Sequence, residues 1–161
     1  MLRETNCREP SERERRVYCP VAQVAGKSVS KVTVQALVRP EVLSKIFGEY
    51  YFCDLPDCDV VYFNADEMLI RKSDVRVPVH QKDSNADTPV CYCFGHTPGK
   101  IFEEIERTGQ SSAVAEITQK VKEGVCFCGR SNPQGTCCLG NVGNVVKRGL
   151  GRFRNRQREV F

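Results

Sequence analysis

Tryptophan is absent from this 161-residue chain, and histidine occurs only twice. So sparse a histidine complement excludes a mechanism built on several imidazoles, such as that of a His-rich metallohydrolase. No apolar run approaches the roughly 20 residues that a membrane-crossing helix needs. The first sixteen residues (MLRETNCREPSERERR) hold no apolar segment of the kind a secretory signal requires, which sets the expectation of a cytoplasmic protein without a membrane span. The body lacks an excess of positive charge and is slightly acidic, with thirteen basic and fifteen acidic residues over positions 17–146. The formal net charge is +4, yet residues 147–161 alone carry six basic residues against one acidic. The expectation for that basic tail is a solvated, frayed end. The alternative is a dock for nucleic acid, an anionic membrane or an acidic protein.

Cysteine is the opposite case, with ten in 161 residues. Without a secretory signal, thiolate chemistry is expected rather than disulfides. The spacing agrees: Cys7, Cys19, Cys53 and Cys58 come first, then Cys91 and Cys93, then Cys126, Cys128, Cys137 and Cys138. A C-x-C pair makes a strained disulfide ring, but both of its thiolates reach one ion. The pattern therefore predicts metal binding in two groups.

Along the chain, residues 1–16 read as a mobile lead-in. Residues 28–38 (SVSKVTVQALV) alternate, with Val32, Val34, Ala36 and Val38 on one face, which predicts a half-buried strand. Pro40 then ends the pairing or opens a short helix with Val42, Leu43 and Ile46 at helical spacing. EYYFC and DVVYF read as a hairpin over residues 49–63, residues 68–79 as one or two further strands, and residues 81–89 as a linker. Thereafter the period becomes helical. Thr97 caps a helix with Pro98 at its first position and Gly109 at its end. Ser111 or Ser112 caps a second, with Val114, Ile117 and Val121 on one face and Gly124 as its stop. This helical hairpin has few apolar residues for a free-standing fold, and a metal centre clamping its ends would supply stability.

In the first cysteine group, Cys53 and Cys58 sit in the hairpin and Cys19 lies upstream. Two cysteines on a β-knuckle plus ligands from a distant loop is how zinc ribbons close a tetrahedral site. The fourth ligand is missing from its expected place, since Ala22 stands where a C-P-x-C knuckle has its second cysteine. Cys7 reaches the site if the lead-in is extended, because twelve residues span up to ~40 Å; Asp57, Asp59, His80 or water are the other candidates. In the second group, Cys91 and Cys93 precede the helical hairpin while Cys126, Cys128, Cys137 and Cys138 follow it. Four of these thiolates suit a [2Fe–2S] cluster, two per iron, and soft ligands suit copper(I) as well. Zinc with the same four sulfurs is the competing reading. His96, three residues after Cys93, reads as a loop histidine beside this group rather than a ligand.

The motifs P-V-C-Y-C, two short helices and C-x3-N-P-x-G-x-C-C, together with the upstream C-P-V and Y-Y-F-C-D-L-P-D-C-D-V-V-Y-F, resemble the N-terminal domain of CopZ-type copper chaperones over roughly residues 17–146. The helical part also resembles the bacterioferritin-associated ferredoxin domain. The resemblance implies a mononuclear zinc and a [2Fe–2S] cluster, and reduction of copper(II) to copper(I). It implies Cys91, Cys93, Cys128 and Cys138 as cluster ligands, with Cys137 the substitute for Cys138 and Cys126 spare. It places Cys19, Cys53 and Cys58 in the zinc region. Copper or another soft-metal ion, a copper-transporting ATPase and a redox partner protein are the implied partners. The sequence ends in GLGRFRNRQREVF and holds no M-x-C-x-x-C loop, so the redox module is what the resemblance carries over, not delivery by that loop.

The expected fold is α+β in two small lobes. A β-rich, zinc-ribbon-like lobe covers residues 17–82 and a helix-turn-helix [2Fe–2S] lobe residues 83–146, flanked by the lead-in (1–16) and the basic tail (147–161). The expected function is one-electron transfer in copper or soft-metal handling. With no His/carboxylate constellation for proton transfer, an electron-transfer or metal-chaperone protein is expected rather than an enzyme, metal reduction being the activity it allows. The alternative is a zinc and iron–sulfur module that docks a partner or nucleic acid through its tail as a redox sensor.

Overall fold

The computed structural model describes residues 16–161, so the expectations for the lead-in and for Cys7 lie outside the described residues. Four short strands form one antiparallel sheet in sequence order: β1 Lys27–Val29, β2 Tyr50–Phe52, β3 Val60–Phe63 and β4 Leu69–Arg71. The aromatic and β-branched residues of the hairpin pair directly, Tyr51 opposite Phe63 and Phe52 opposite Tyr62. Every residue of β3 is buried. Val61 and Tyr62 join one apolar cluster with Val34, Leu37 and Ile70, while Val60 and Phe63 join another that contains Cys19, Cys53 and Cys58. A single strand thus braces the main core and the first cysteine group.

The expected strand over residues 28–38 is overturned. Only Lys27–Val29 forms a strand, and Lys31–Leu37 is a helix, α1. Ser30 caps it by accepting a hydrogen bond from the Val32 N–H. Its buried residues are Thr33, Val34 and Leu37. That is helical spacing, and it competes with the period-2 alternation of the same β-branched residues. Packing decides the contest, because the Thr33 hydroxyl donates to the Gly129 carbonyl at 2.6 Å, a contact to a segment 96 residues away. Pro40 opens a short helix, α2 (Pro40–Leu43). The expected linker is partly ordered too: His80–Lys82 form a 3-10 turn, and Lys82 and Thr88 are buried.

The second half is helical. α3 (Pro98–Thr108) starts with Thr97 accepting from the Lys100 N–H and ends at Gly109, whose φ of 77° is the left-handed conformation that glycine adopts freely. α4 (Ala113–Lys122) buries Ala113 and Ile117; Val114, expected to face inward, is 38% exposed. The Glu104 carboxylate accepts from the Ser112 N–H and hydroxyl and from the Ser111 hydroxyl, joining α3 to the start of α4. A short helix, α5 (Cys128–Ser131), leads into α6 (Leu139–Glu159). The frayed tail is thereby overturned, since residues 147–159 continue α6. Val142, Val145 and Gly149 make its buried stripe, and Arg156 pairs with Glu106 of α3 at 2.6 Å. Gly149 is a close-approach site: a Cβ there would lie 2.6 Å from Ile105 Cδ1 and 2.9 Å from Phe102 Cδ1. The expected helical hairpin is therefore a three-helix packing of α3, α4 and α6. Among the described residues no helix is long and apolar enough to cross a membrane.

Two further contacts tie the sheet region to the second cysteine group. The Tyr62 hydroxyl donates to the Pro133 carbonyl at 2.6 Å, and Gln81 Nε2 donates to Gln134 Oε1 at 2.7 Å. The loop between α5 and α6 is thus held from the side of the sheet.

Candidate metal centres

The first centre is built from a knuckle and a hairpin. In residues 17–26 the chain doubles back: Cys19 N–H donates to the Val24 carbonyl, Gln23 N–H to the Cys19 carbonyl and Gly26 N–H to the Val17 carbonyl. Gln23 takes a positive φ of 57° at the tip. The Ala22 N–H points back at Cys19 Sγ at 3.4 Å. The knuckle therefore forms with alanine where its second cysteine was expected. Cys53 follows β2, and Cys58 closes a turn in which its N–H donates to the Leu55 carbonyl. The sulfurs of Cys19, Cys53 and Cys58 lie within 4.8 Å of one another, and all three residues are buried. Cys19 and Cys58 are 3.9 Å apart and both are free thiols. Tetrahedral zinc with ~2.3 Å bonds to sulfur places its thiolates ~3.8 Å apart, so the donor set and its spacing fit that ion.

Among the described residues no fourth His, Cys, Asp or Glu joins this group. Asp59 instead pairs with Arg71 at 3.4 Å, Asp57 is exposed, and His80 lines a separate cleft with Arg148 and Arg152. Electrostatics inside the triad are uneven. Burial pushes the Cys53 thiol up to about 11, against the Leu55 backbone amide and the positive Lys82. Burial also opposes ionisation of Cys19, but the Ala22 and Val21 amides and the other two thiols outweigh it and bring that thiol below its ordinary value.

The second centre lies at one end of the helical bundle. Cys91 and Cys93 come from a tight turn in which the Gly95 N–H donates to the Cys91 carbonyl, with Gly95 at a φ of 70°. Cys128 opens α5 and Cys138 caps α6. The thiols meet in pairs. Cys93 Sγ is 3.5 Å from Cys128 Sγ, and Cys91 and Cys138 are buried in one cluster, where Cys138, with help from backbone amides and the Lys120 charge and against burial, brings the Cys91 thiol down to about 6. Cys91, with burial, pushes the Cys138 thiol far up. Burial followed by Cys93 pushes the Cys128 thiol up to about 12. The Phe127 N–H and the Ser131 hydroxyl both reach Cys93 Sγ at 3.2 Å.

Two pairs differ from one tetrahedral nest. Among the described residues the Cys19 triad is the only group of three potential ligands within 4.8 Å, so the second set does not converge on a single point. Paired thiols fit a centre with two metals, each held by two sulfurs, as in a [2Fe–2S] cluster. Between the neighbours left open by sequence, Cys138 is buried against Cys91 while Cys137 is exposed, and Cys126 is half-buried. His96 faces Glu116 at 3.6 Å instead of the thiols. Two participants escape sequence reading. Ser131 carries no motif of its own. Lys82 lay in what read as a linker, and its only signal was a lysine within reach of the cysteine hairpin.

Residues 16–76 match the protein family of the CopZ zinc binding domain. The chain is 39% identical over 120 residues to the copper chaperone CopZ of Archaeoglobus fulgidus, which covers 74% of this chain and 57% of that protein. It thus spans a little over half the length of that relative. The crystal structure of the Archaeoglobus fulgidus CopZ N-terminal domain superposes with a TM-score of 0.70 at 36% identity, covering 80% of this chain and 97% of the other.

Proposed function

Because the chain belongs to the family of zinc-binding CopZ N-terminal domains, we propose that it is a cytoplasmic one-electron module of copper or soft-metal handling. In this reading Cys19, Cys53 and Cys58 hold a structural zinc, and Cys91, Cys93, Cys128 and Cys138 hold a [2Fe–2S] cluster. The observation that carries it is the gathering of these thiols at one end of the helical bundle, with Cys93 against Cys128 at 3.5 Å and Cys91 buried with Cys138 in one cluster.

The residues around the second group suit that role. Cys91 and Cys138 are 0% and 1% exposed, and Ile101, Ile105, Ile117 and Val142 pack in the same cluster, which keeps water from that side. The exposed flank is the side of Cys137, open to a metal ion or a partner. The Phe127 N–H donates to the Cys93 sulfur, with the Ser131 hydroxyl 3.2 Å away, and such a donor stabilises added negative charge and tunes potential. Held there, a [2Fe–2S] cluster would supply one-electron chemistry such as the reduction of copper(II) to copper(I) ahead of delivery. Copper(II) is the substrate, and a copper-transporting ATPase or a redox protein the partner.

The test is a visible absorption spectrum of anaerobically purified protein, with iron, sulfide, zinc and copper assayed on the same sample. Two irons, two sulfides and one zinc per chain, with colour that bleaches on dithionite, are expected. A colourless protein with zinc and no sulfide sinks the redox reading. Copper(II) reduction by the dithionite-reduced protein is the assay that follows.

One observation favours a second reading. The basic segment is an ordered helix with Arg148, Arg152, Arg154 and Arg158 exposed, a surface that an acidic partner or nucleic acid would fit. Replacing these arginines by glutamine should then abolish partner binding with the metal content unchanged.

A further inference from the structure

Lys82 is only 7% exposed. Its Nζ donates to the Leu55 carbonyl at 2.8 Å and to the Cys58 carbonyl at 2.9 Å, the two ends of the turn that presents the Cys58 thiol. Among the described residues no carboxylate pairs with it. An ammonium buried with carbonyl partners alone is costly, and buried charges are normally met by an opposite charge. The opposite charge would come from the thiolate-bound ion, because one of the carbonyls that Lys82 holds belongs to the ligand residue Cys58 itself. Three thiolates around a divalent ion leave one net negative charge, and a fourth thiolate would leave two. Either way a fixed positive charge is needed in the apolar cluster of Val60, Phe63 and Val24 that encloses the triad.

We propose that Lys82 is the positioning residue of the first metal centre: its ammonium pins the Leu55–Cys58 turn so that Cys58 faces Cys19 and Cys53, and offsets the negative charge of the thiolate-bound ion. The inference rests on the zinc reading above. It also gives residues 80–82 a purpose, since the chain detours there to send one amine into the hairpin it left more than twenty residues earlier.

The experiment measures zinc affinity of the full chain by competition with a chromogenic chelator, for wild type, Lys82→Met and Lys82→Arg. Removing a group that orients metal ligands costs about 10- to 100-fold in affinity, and that loss is expected for Lys82→Met. Lys82→Arg keeps charge and donors and should recover most of it. Iron and sulfide content of the second centre should stay unchanged in both variants. Lys82→Met that binds zinc as tightly as wild type overturns the proposal. A merely structural lysine would lower the thermal midpoint without changing zinc affinity. A second measurement needs no variant: amine acetylation of wild-type protein followed by peptide mapping. Lys82 should be protected in the zinc-loaded protein and exposed after chelation, and a labelling rate indifferent to zinc overturns the proposal. Wild type that takes up no zinc sinks the underlying reading instead, which keeps the two failures distinct.

Discussion

The hydroxyl of Tyr62, at the centre of the sheet, donates a 2.6 Å hydrogen bond to the carbonyl of Pro133, in the loop between Cys128 and Cys138. Tyr62 is fully buried, and burial holds its phenol well above the ordinary tyrosine range, so the hydroxyl keeps its proton and stays a donor. Tyr62→Phe leaves that carbonyl without its partner, at a cost of about 1–3 kcal/mol. A fall in thermal midpoint is expected, together with faster loss of iron from the second centre on dilution into chelator. Unchanged retention of iron would show that the strut stabilises the sheet without holding the cysteine loop.

The neighbouring cysteines at the start of α6 should separate cleanly. Cys138→Ser removes the thiol buried against Cys91, and the second centre should fail to assemble iron and sulfide. Cys137→Ser alters an exposed side chain, and iron, sulfide and the visible spectrum should match wild type. Analysis of both variants after the same anaerobic purification decides the matter.

Gly149 and Gly151 lie on the same helix and should respond in opposite senses. A Cβ at Gly149 meets Ile105 and Phe102 at 2.6 and 2.9 Å, whereas nothing lies within 4 Å of one at Gly151. Gly149→Val overpacks the junction of α3 and α6 and should cost about 1–3 kcal/mol. Gly151→Ala should instead stabilise by up to about 1 kcal/mol, because alanine is the better helix former. Thermal unfolding of the metal-loaded protein measures both.

His80 gives the chain a pH dependence. Burial, then the positive Arg148, holds its imidazole below the ordinary value of 6.5. The folded state favours the neutral ring, so the unfolded chain binds more protons as the solution acidifies. The contribution of His80 to stability is therefore complete above pH 6.5 and is lost as pH falls from there through the depressed folded value. His80→Gln should flatten the drop in thermal midpoint between about pH 7 and pH 5.5. Parallel curves for the two proteins would assign that drop to other groups.

What could be read from residue order was local. The Thr97-Pro98 start and Gly109 stop of α3, the aromatic hairpin around Cys53 and Cys58, and the division of cysteines into two groups rest on caps, turns and spacings within a few positions of one another. The Lys31–Leu37 segment was misread because its valines satisfy a strand period and a helix period alike, and only the Ser30 cap and the distant Gly129 carbonyl break the tie. The basic tail was misread because its arginines hide a sparse buried stripe of Val142, Val145 and Gly149, whose value depends on α3 lying opposite.

The sequence by itself determined that this protein is rich in cysteine, where two of its helices begin and end, and that Cys19, Cys53 and Cys58 stand apart from the later cysteines. Those features are set by short-range covalent geometry and capping, which need no partner from elsewhere in the chain. The tertiary structure decided that Cys138 and not Cys137 is buried in the cluster of Cys91, that Cys93 meets Cys128, that the tail is a helix, and that Lys82 sits behind Cys58. Each of these depends on desolvation and on partners tens of residues apart, quantities that exist only once the chain has closed on itself.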